Sequence, residues 1–231
     1  MNAQVFGRVS IEGIHAIALS RHGGTSTAPF DSLNLASYVG DSAEHVASNL
    51  AITCELVYAQ EITAMNAEHG KTVHVVSKPG LALPGDGLIT KQPGLALVAL
   101  AADCVPFGLV DPVNRVIAVG HAGWRGVLAN VMQSVLDEFF ANGAESIHTK
   151  AVIGPAICGE CYEVPNERVE QFRKVLPETI SSTKNLDLTA GVKSVLTSQV
   201  SKIHELVGCT FENPELFSYR RANGETTGRG G

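Results

Sequence analysis

Four stretches of this chain are apolar for longer than a half-exposed strand requires: LALVALAADC from Leu95, VPFGLVD from Val105, RVIAVGHAG from Arg115 and TKAVIGPAI from Thr149. Each is built largely from β-branched or small residues and is closed by Gly, Pro or Asp, which reads as strands buried on both faces. Apolar residues return at three- and four-residue intervals over Val127 to Asn142, Asn166 to Leu176 and Leu188 to Leu206, which predicts helices. A further helix is expected over Asp41 to Cys54, with Asp41 or Ser42 as N-cap and Glu44 in the first turn, where the helix dipole favours negative charge. Strands alternating with helices predict a layered α/β protein with mixed sheets. No repeat or Pro/Ser-rich linker divides the chain, so residues 1–231 read as one domain, with the run ANGETTGRGG at 222–231 as a flexible C-terminal tail.

Composition removes several function classes. With 45% hydrophobic and 17% charged residues the chain is not a disordered one. The formal charge is -6 and no dense run of Lys and Arg exists to neutralise a row of phosphates, so a nucleic-acid partner is not expected. The start MNAQVFGRVSIEGIH lacks the pattern of a signal peptide, and the longest apolar run, Leu95 to Ala102, is too short to span a bilayer. A cytoplasmic protein with a small-molecule substrate and no membrane partner is expected. Five cysteines, Cys54, Cys104, Cys158, Cys161 and Cys209, then read as thiols, metal ligands or a nucleophile rather than a disulfide framework.

His69, Cys104 and His121 are candidate metal ligands, each placed where a strand meets a turn. Two imidazoles and a thiolate suit zinc, and a site with three protein ligands leaves a fourth position for water or substrate. Singly, each has a plainer reading, the Cys as a small buried hydrophobe and the His as a satisfied polar group. Their context shifts the balance: AADC ends an apolar strand with a carboxylate and a thiol, and HAGWRG sets a His, an aromatic and Arg125 in a glycine-flanked turn. Strand, glycine turn and helix in that order also form either an anion-binding helix start, with Arg125 adding a charge-assisted bond, or simply a tight connection.

These residues belong to a larger pattern. HGGTS at His22, SLNLASYVGD at Ser32, EHGKTVHVV at Glu68, GDGLIT at Gly85, PGLALVALAADCVP at Pro93, HAGWRG at His121, IGPAI and CYEV between Ile153 and Val164, LDL at Leu186, FSYRR at Phe217 and TGR at Thr227 occur in order. Together they resemble the bacterial YfiH family, also called the laccase-domain or multicopper polyphenol oxidase family. The resemblance implies a layered α/β/β/α fold with mixed sheets and a zinc site at His69, Cys104 and His121. It also implies purine nucleoside phosphorylase activity, with adenosine deaminase and methylthioadenosine phosphorylase activities beside it. Purine nucleosides and phosphate would be the partners of a monomer or small homo-oligomer. His22, Asn34, Asp103 and Glu163 are candidate polar contacts to purine or ribose. Arg125, Arg220, Arg221 or Arg229 would supply charge to phosphate, the last three reading equally well as a solvated basic tail.

Two departures from the family pattern stand out. Ala67 takes the place of a Gln two residues before the first His, and Cys158 with Cys161 forms a CGEC pair in place of adjacent cysteines. A C-x-x-C pair can be redox-active or half of a zinc site, but with no second pair these read as unlinked thiols. Three other functions remain open: a copper-dependent laccase-like oxidase, a cysteine hydrolase using Cys104 and His121, and a non-enzymatic metal-binding scaffold. The oxidase is disfavoured because the eight histidines include no H-x-H pair, and a copper ion at the same N and S donors would be adventitious.

Overall fold

The computed structural model describes residues 5–231; the first four residues of the expected domain lie outside them. The strands are β1 (Val5–Ile11), β2 (Ile14–Leu19), β3 (Glu61–Asn66), β4 (Val73–Val75), β5 (Gly80–Pro84), β6 (Gly87–Thr90), β7 (Leu95–Val98), β8 (Val105–Asp111), β9 (Val116–Ala122), β10 (Lys150–Ile153) and β11 (Lys202–Glu205). The helices are α1 (Ala43–Leu56), α2 (Trp124–Leu128), α3 (Val131–Ala141), α4 (Asn166–Val175) and α5 (Leu188–Thr197). A six-stranded sheet runs β11-β10-β8-β9-β6-β4 and a three-stranded sheet β5-β3-β7, with β1 and β2 as a separate hairpin. The larger sheet is mixed: its four central strands are antiparallel neighbours, and its outer pairs β10–β11 and β4–β6 are parallel.

Hydrophobic patterning dictates the layers. Val131, Met132, Val135, Leu136 and Phe139 form the apolar stripe of α3 and are all fully buried, with Val192 and Leu196 of α5, against Phe107, Leu109 and Ala118 of the large sheet. Each such side chain contributes about 1.5–3 kcal/mol of burial before conformational entropy is charged against it. On the opposite face, Met65, Leu88 and Leu95 join the two sheets. Val46 and Leu50 of α1 then cover Ala64 and Val98 of the small sheet. The order is α/β/β/α, with mixed sheets, as the sequence led us to expect. An apolar cavity of about 190 Å³ lies between the sheets, lined among others by Ile17, Val98, Phe107, Leu109 and Ile117. No helix among the described residues is long and apolar enough to cross a membrane.

Several expected elements differ. The helix expected over Val127 to Asn142 is broken into α2 and α3 by Asn130, which adopts φ 59, a left-handed conformation that Asn tolerates better than most residues. The helix expected to reach Leu206 ends at Thr197, and Ile203 instead lies in β11, parallel to β10. Thr197 turns its hydroxyl back onto the Lys193 carbonyl at 2.7 Å, the competition with the backbone that makes such residues poor helix continuers. The strand read as LALVALAADC stops at Val98. Ser42 is the N-cap of α1 but makes no side-chain cap bond, whereas the Asp41 carboxylate accepts the Ser42 N–H at 2.7 Å.

The expected flexible tail is tied down at its end. Gly230 and Ala101 exchange backbone bonds of 2.9 and 3.0 Å, the Arg229 carbonyl accepts from Leu35, and the Asn34 side chain accepts from the Arg229 N–H. Its glycines serve close approach rather than freedom: a Cβ on Gly228 would stand 2.5 Å from the Phe217 ring, and one on Gly231 2.6 Å from Val98.

Candidate functional site

Three strand ends, those of β8, β9 and β6, bring the site together at one end of the central strands of the large sheet. In the β8–β9 ladder Val105 opposes Ala122 and Pro106 opposes His121, so Cys104, one residue before β8, lies beside the end of β9. Gly87 at the start of β6 opposes Gly120, and the Asp86 carbonyl accepts the His121 N–H at 2.8 Å. His69 arrives from the turn between β3 and β4 in a left-handed conformation, φ 58. The donor atoms of His69, Cys104 and His121 all lie within 4.8 Å of one another, with Cys104 Sγ 3.9 Å from His69 Nε2. The two imidazole rings are 5.0 Å apart and nearly perpendicular.

Asp86, fully buried, organises this group. One carboxylate oxygen stands 2.9 Å from His121 Nδ1 and accepts the His69 N–H at 3.0 Å, while the other accepts the Gly70 N–H at 2.8 Å. His121 therefore has Nδ1 engaged and Nε2 left for the centre, the carboxylate–histidine arrangement that orients metal-binding imidazoles. Gly123 lines the same space: a Cβ there would come 2.7 Å from the His69 ring and 3.0 Å from Cys104 Sγ.

The electrostatics follow. Burial opposes ionisation of Cys104, yet the charge and hydrogen bond of His121, with His69 behind them, bring its thiol down to about 6. Burial likewise disfavours a charged His121, but the Cys104 thiolate and then Asp86 carry it up to about 9. Asp86 is held below the usual carboxylate range despite burial by its bonds from His121 and Gly70. Without a metal the site is thus a thiolate–imidazolium pair backed by a carboxylate.

The donor set fits a metal ion. Bonds of 2.0–2.3 Å at tetrahedral angles place neighbouring N and S donors roughly 3.3–3.6 Å apart, so the group needs only a small contraction.

Aromatic rings and arginines surround the thiolate. Arg168 and Arg125 both stand over the Trp124 ring, at 3.9 and 4.4 Å from its centroid, and neither forms an ion pair among the described residues. The Arg220 guanidinium lies 5.3 Å from the Tyr162 ring. Burial raises the Tyr162 phenol, the Cys104 charge adds to this, and Arg168 and Arg220 oppose it. Tyr38 is raised in the same way, with Arg229 opposing burial and Cys104 reinforcing it.

The other expected site residues divide sharply. Asn34 is fully buried and its amide is saturated by Ala36, Asp41 and the Arg229 N–H, so no group remains for a substrate. Asp103, at φ 92, gives its two carboxylate oxygens to Thr210 Oγ1 and the Arg220 N–H, both at 2.6 Å. Arg221 caps the carbonyls of Thr210, Phe211, Asn213 and Leu216 and is a loop clamp rather than an anion ligand. His22 faces Glu215 at 3.4 Å, and the exposed Glu163 faces Lys184 at 3.9 Å. Arg125 is exposed, and α2 is only five residues long, too short to supply the helix-dipole anion site its turn suggested. Sequence reasoning missed Asp86, Tyr38, Tyr162 and Arg168; the first three sit inside motifs already singled out, and Arg168 carries no local signal at all.

Fold and site together define a class: a layered mixed-sheet protein with a partly buried cysteine–histidine centre able to hold one metal ion. Residues 15–231 match the family model for multi-copper polyphenol oxidoreductase laccase, and the chain belongs to that family. A purine nucleoside phosphorylase of Streptomyces coelicolor is 38% identical to it over 96% of this chain and 95% of its own length. The adenosine deaminase RL5, from an unknown prokaryotic organism, is 31% identical over 92% of this chain and 90% of its own. The crystal structure of a Bacillus licheniformis hypothetical protein, YfiH, matches with a TM-score of 0.82 and 29% identity, covering 94% of this chain and 90% of that one.

Proposed function

We propose that this chain is a zinc-dependent purine nucleoside phosphorylase, cleaving adenosine, inosine, guanosine and methylthioadenosine with phosphate, and that the same site deaminates adenosine. The observation that carries the reading is the convergence of His69, Cys104 and His121 around one point with Asp86 fixing the imidazole of His121. Zinc, when bound, supplies a Lewis acid with one position free of protein. The rest falls to the chain itself. Arg168 and Arg125 share one indole without a carboxylate partner, an arrangement that a bound anion relieves, and they hold the phosphate with Arg220. Tyr162, kept protonated by its surroundings, donates from Oη to the purine as its bond to the sugar carbon breaks and a phosphate oxygen takes that carbon.

Phosphate-dependent release of hypoxanthine from inosine tests the reading. Activity lost to a chelator and restored by zinc supports it; cleavage that ignores phosphate or persists in fully metal-free protein overturns it.

One observation favours a second reading. Thiolate, imidazole and carboxylate stand in sequence at Cys104, His121 and Asp86, which is the arrangement of a cysteine hydrolase. The chelator separates the two, since metal removal frees a nucleophilic thiolate instead of abolishing activity. A laccase reading has weaker support: among the described residues only His69 and His121 of the eight histidines enter a metal-capable group.

A further inference from the structure

A second cluster of metal-ligating side chains lies outside the site just described. Cys158, Cys161, Cys209 and Glu212 bring one ligand atom each to within 4.8 Å of all the others. Cys209 is 51 positions from Cys158 in the chain, which is why the CGEC pair looked unaccompanied in the sequence.

Two turns of the same kind build the cluster. In the first, Cys158-Gly159-Glu160-Cys161, the Cys158 carbonyl accepts from Cys161 and Tyr162 at 3.1 and 3.0 Å. In the second, Cys209-Thr210-Phe211-Glu212, the Cys209 carbonyl accepts from Asn213 at 3.0 Å. Each turn thus presents two ligands at positions i and i+3, the spacing of a C-x-x-C metal knuckle, with Glu212 where a fourth cysteine would stand. A short parallel bridge sets the turns side by side: Ala156 donates to Gly208 at 3.2 Å and Thr210 to Ala156 at 3.1 Å. The Cys158 N–H points at Cys209 Sγ, 3.4 Å away. Arg221 holds the Thr210 and Phe211 carbonyls of the second turn and that of Asn213 just after it, so the shape of the turn does not depend on a disulfide, and all the thiols are free.

We infer that Cys158, Cys161, Cys209 and Glu212 form a second metal site, a closed four-ligand centre for a zinc-class ion. Three soft thiolates with one carboxylate suit zinc in tetrahedral coordination, and a full set of four protein ligands marks a structural rather than a catalytic ion. Thiolates this close repel one another unless a cation or oxidation intervenes. The ion would fasten the 156–164 segment to the 208–213 loop. Both border the first site: Ile157 donates to the Asp103 carbonyl and Thr210 to its carboxylate, beside Cys104, and Tyr162 follows Cys161 directly. The inference stands independently of the proposed reaction.

The test uses a His69→Ala/His121→Ala double variant, which removes two ligands of the first site and none of the second. After zinc loading and desalting, it should retain one zinc per chain. Loaded with cobalt(II), it should show strong thiolate-to-metal absorption and the intense visible bands of tetrahedral coordination. Adding Cys209→Ser should abolish both, and where that variant does not fold, the milder Glu212→Gln should weaken zinc affinity at least tenfold with the protein still folded. No stoichiometric metal in the folded, reduced double variant, with its thiols titrating as free, would overturn the inference. So would a disulfide among these three cysteines in protein purified without reductant and carrying no metal there.

Discussion

Asp86→Asn isolates the orienting role of the carboxylate from the ligands themselves. Asp86 accepts three hydrogen bonds, from His121 Nδ1, the His69 N–H and the Gly70 N–H. An asparagine in the same place has one accepting oxygen and one donating NH₂, so at least one of the three donors must meet another donor. If the NH₂ faces His121, Nδ1 must become an acceptor and the ring proton moves to Nε2, the atom needed for the metal, which is the wrong-tautomer effect known from Asp to Asn changes beside catalytic histidines. Loss of such an orienting partner typically costs 10–100-fold in metal affinity, about 1.4–2.7 kcal/mol. If the NH₂ instead takes the other position it faces the Gly70 N–H, and the penalty falls on stability, about 1–3 kcal/mol for an unsatisfied buried group. The assay is zinc competition against a chromophoric chelator, paired with thermal unfolding of the metal-free protein. We expect zinc affinity to fall at least tenfold and nucleoside cleavage at subsaturating zinc to fall with it. A folded Asp86→Asn protein that binds zinc as tightly as the parent refutes the orienting argument.

Three further outcomes are expected. Gly123→Ala should weaken zinc binding more than tenfold with little change in the unfolding temperature of the metal-free protein, because its φ of -78 admits any residue and the clash falls on His69 and Cys104; equilibrium dialysis reads the ratio. Arg168→Ala should raise the KM for phosphate by roughly ten- to a hundredfold, the effect of about 1.5–3 kcal/mol from a charged hydrogen bond, while adenosine deamination changes much less; equal losses in steady-state assays of both reactions would remove Arg168 from the phosphate site. Asp41, buried under bonds from Ser26, Asn34 and Ser42, is held below its ordinary value although burial alone would raise it, so its stabilisation is complete above the unfolded value and disappears as pH falls through the lower folded one. Asp41→Asn should therefore lower the unfolding temperature at pH 6 and narrow the gap to the parent below pH 4, and a gap independent of pH would contradict the assignment.

His69, Cys104 and His121 are legible in the chain because each stands where a strand meets a turn, His69 before Gly70, Cys104 after Asp103 and His121 within VGHAGWRG, where packing alone gives little reason for a thiol or an imidazole. Asn34 and Asp103 mislead for a related reason. A buried polar residue in an apolar context looks the same whether it faces a ligand or, as here, the N–H groups of Arg229 and Arg220 from far along the chain. Asp86 is hidden because its partners become its neighbours only through sheet pairing, His121 across the β6–β9 ladder and His69 with Gly70 on the chain leading into β4 beside β6. The layer order is readable from continuous apolar strands and striped helices. The split at Asn130 and the strand at Lys202–Glu205 are not, since a left-handed residue leaves no periodic trace and four residues of strand fit a helical spacing equally well.

Trp124 is the single tryptophan of the chain, one residue from the glycine that touches both His69 and Cys104, with two guanidinium groups over its ring. Its fluorescence therefore comes from one place, the rim of the candidate centre. Indole emission responds to nearby charge, so an anion that draws Arg125 and Arg168 off the ring, or an ion that pulls His69 and Cys104 together beneath Gly123, each leaves its own spectral mark. The molecule thus carries an intrinsic optical reporter, and phosphate and metal titrations can be followed in unlabelled protein, independently of any turnover.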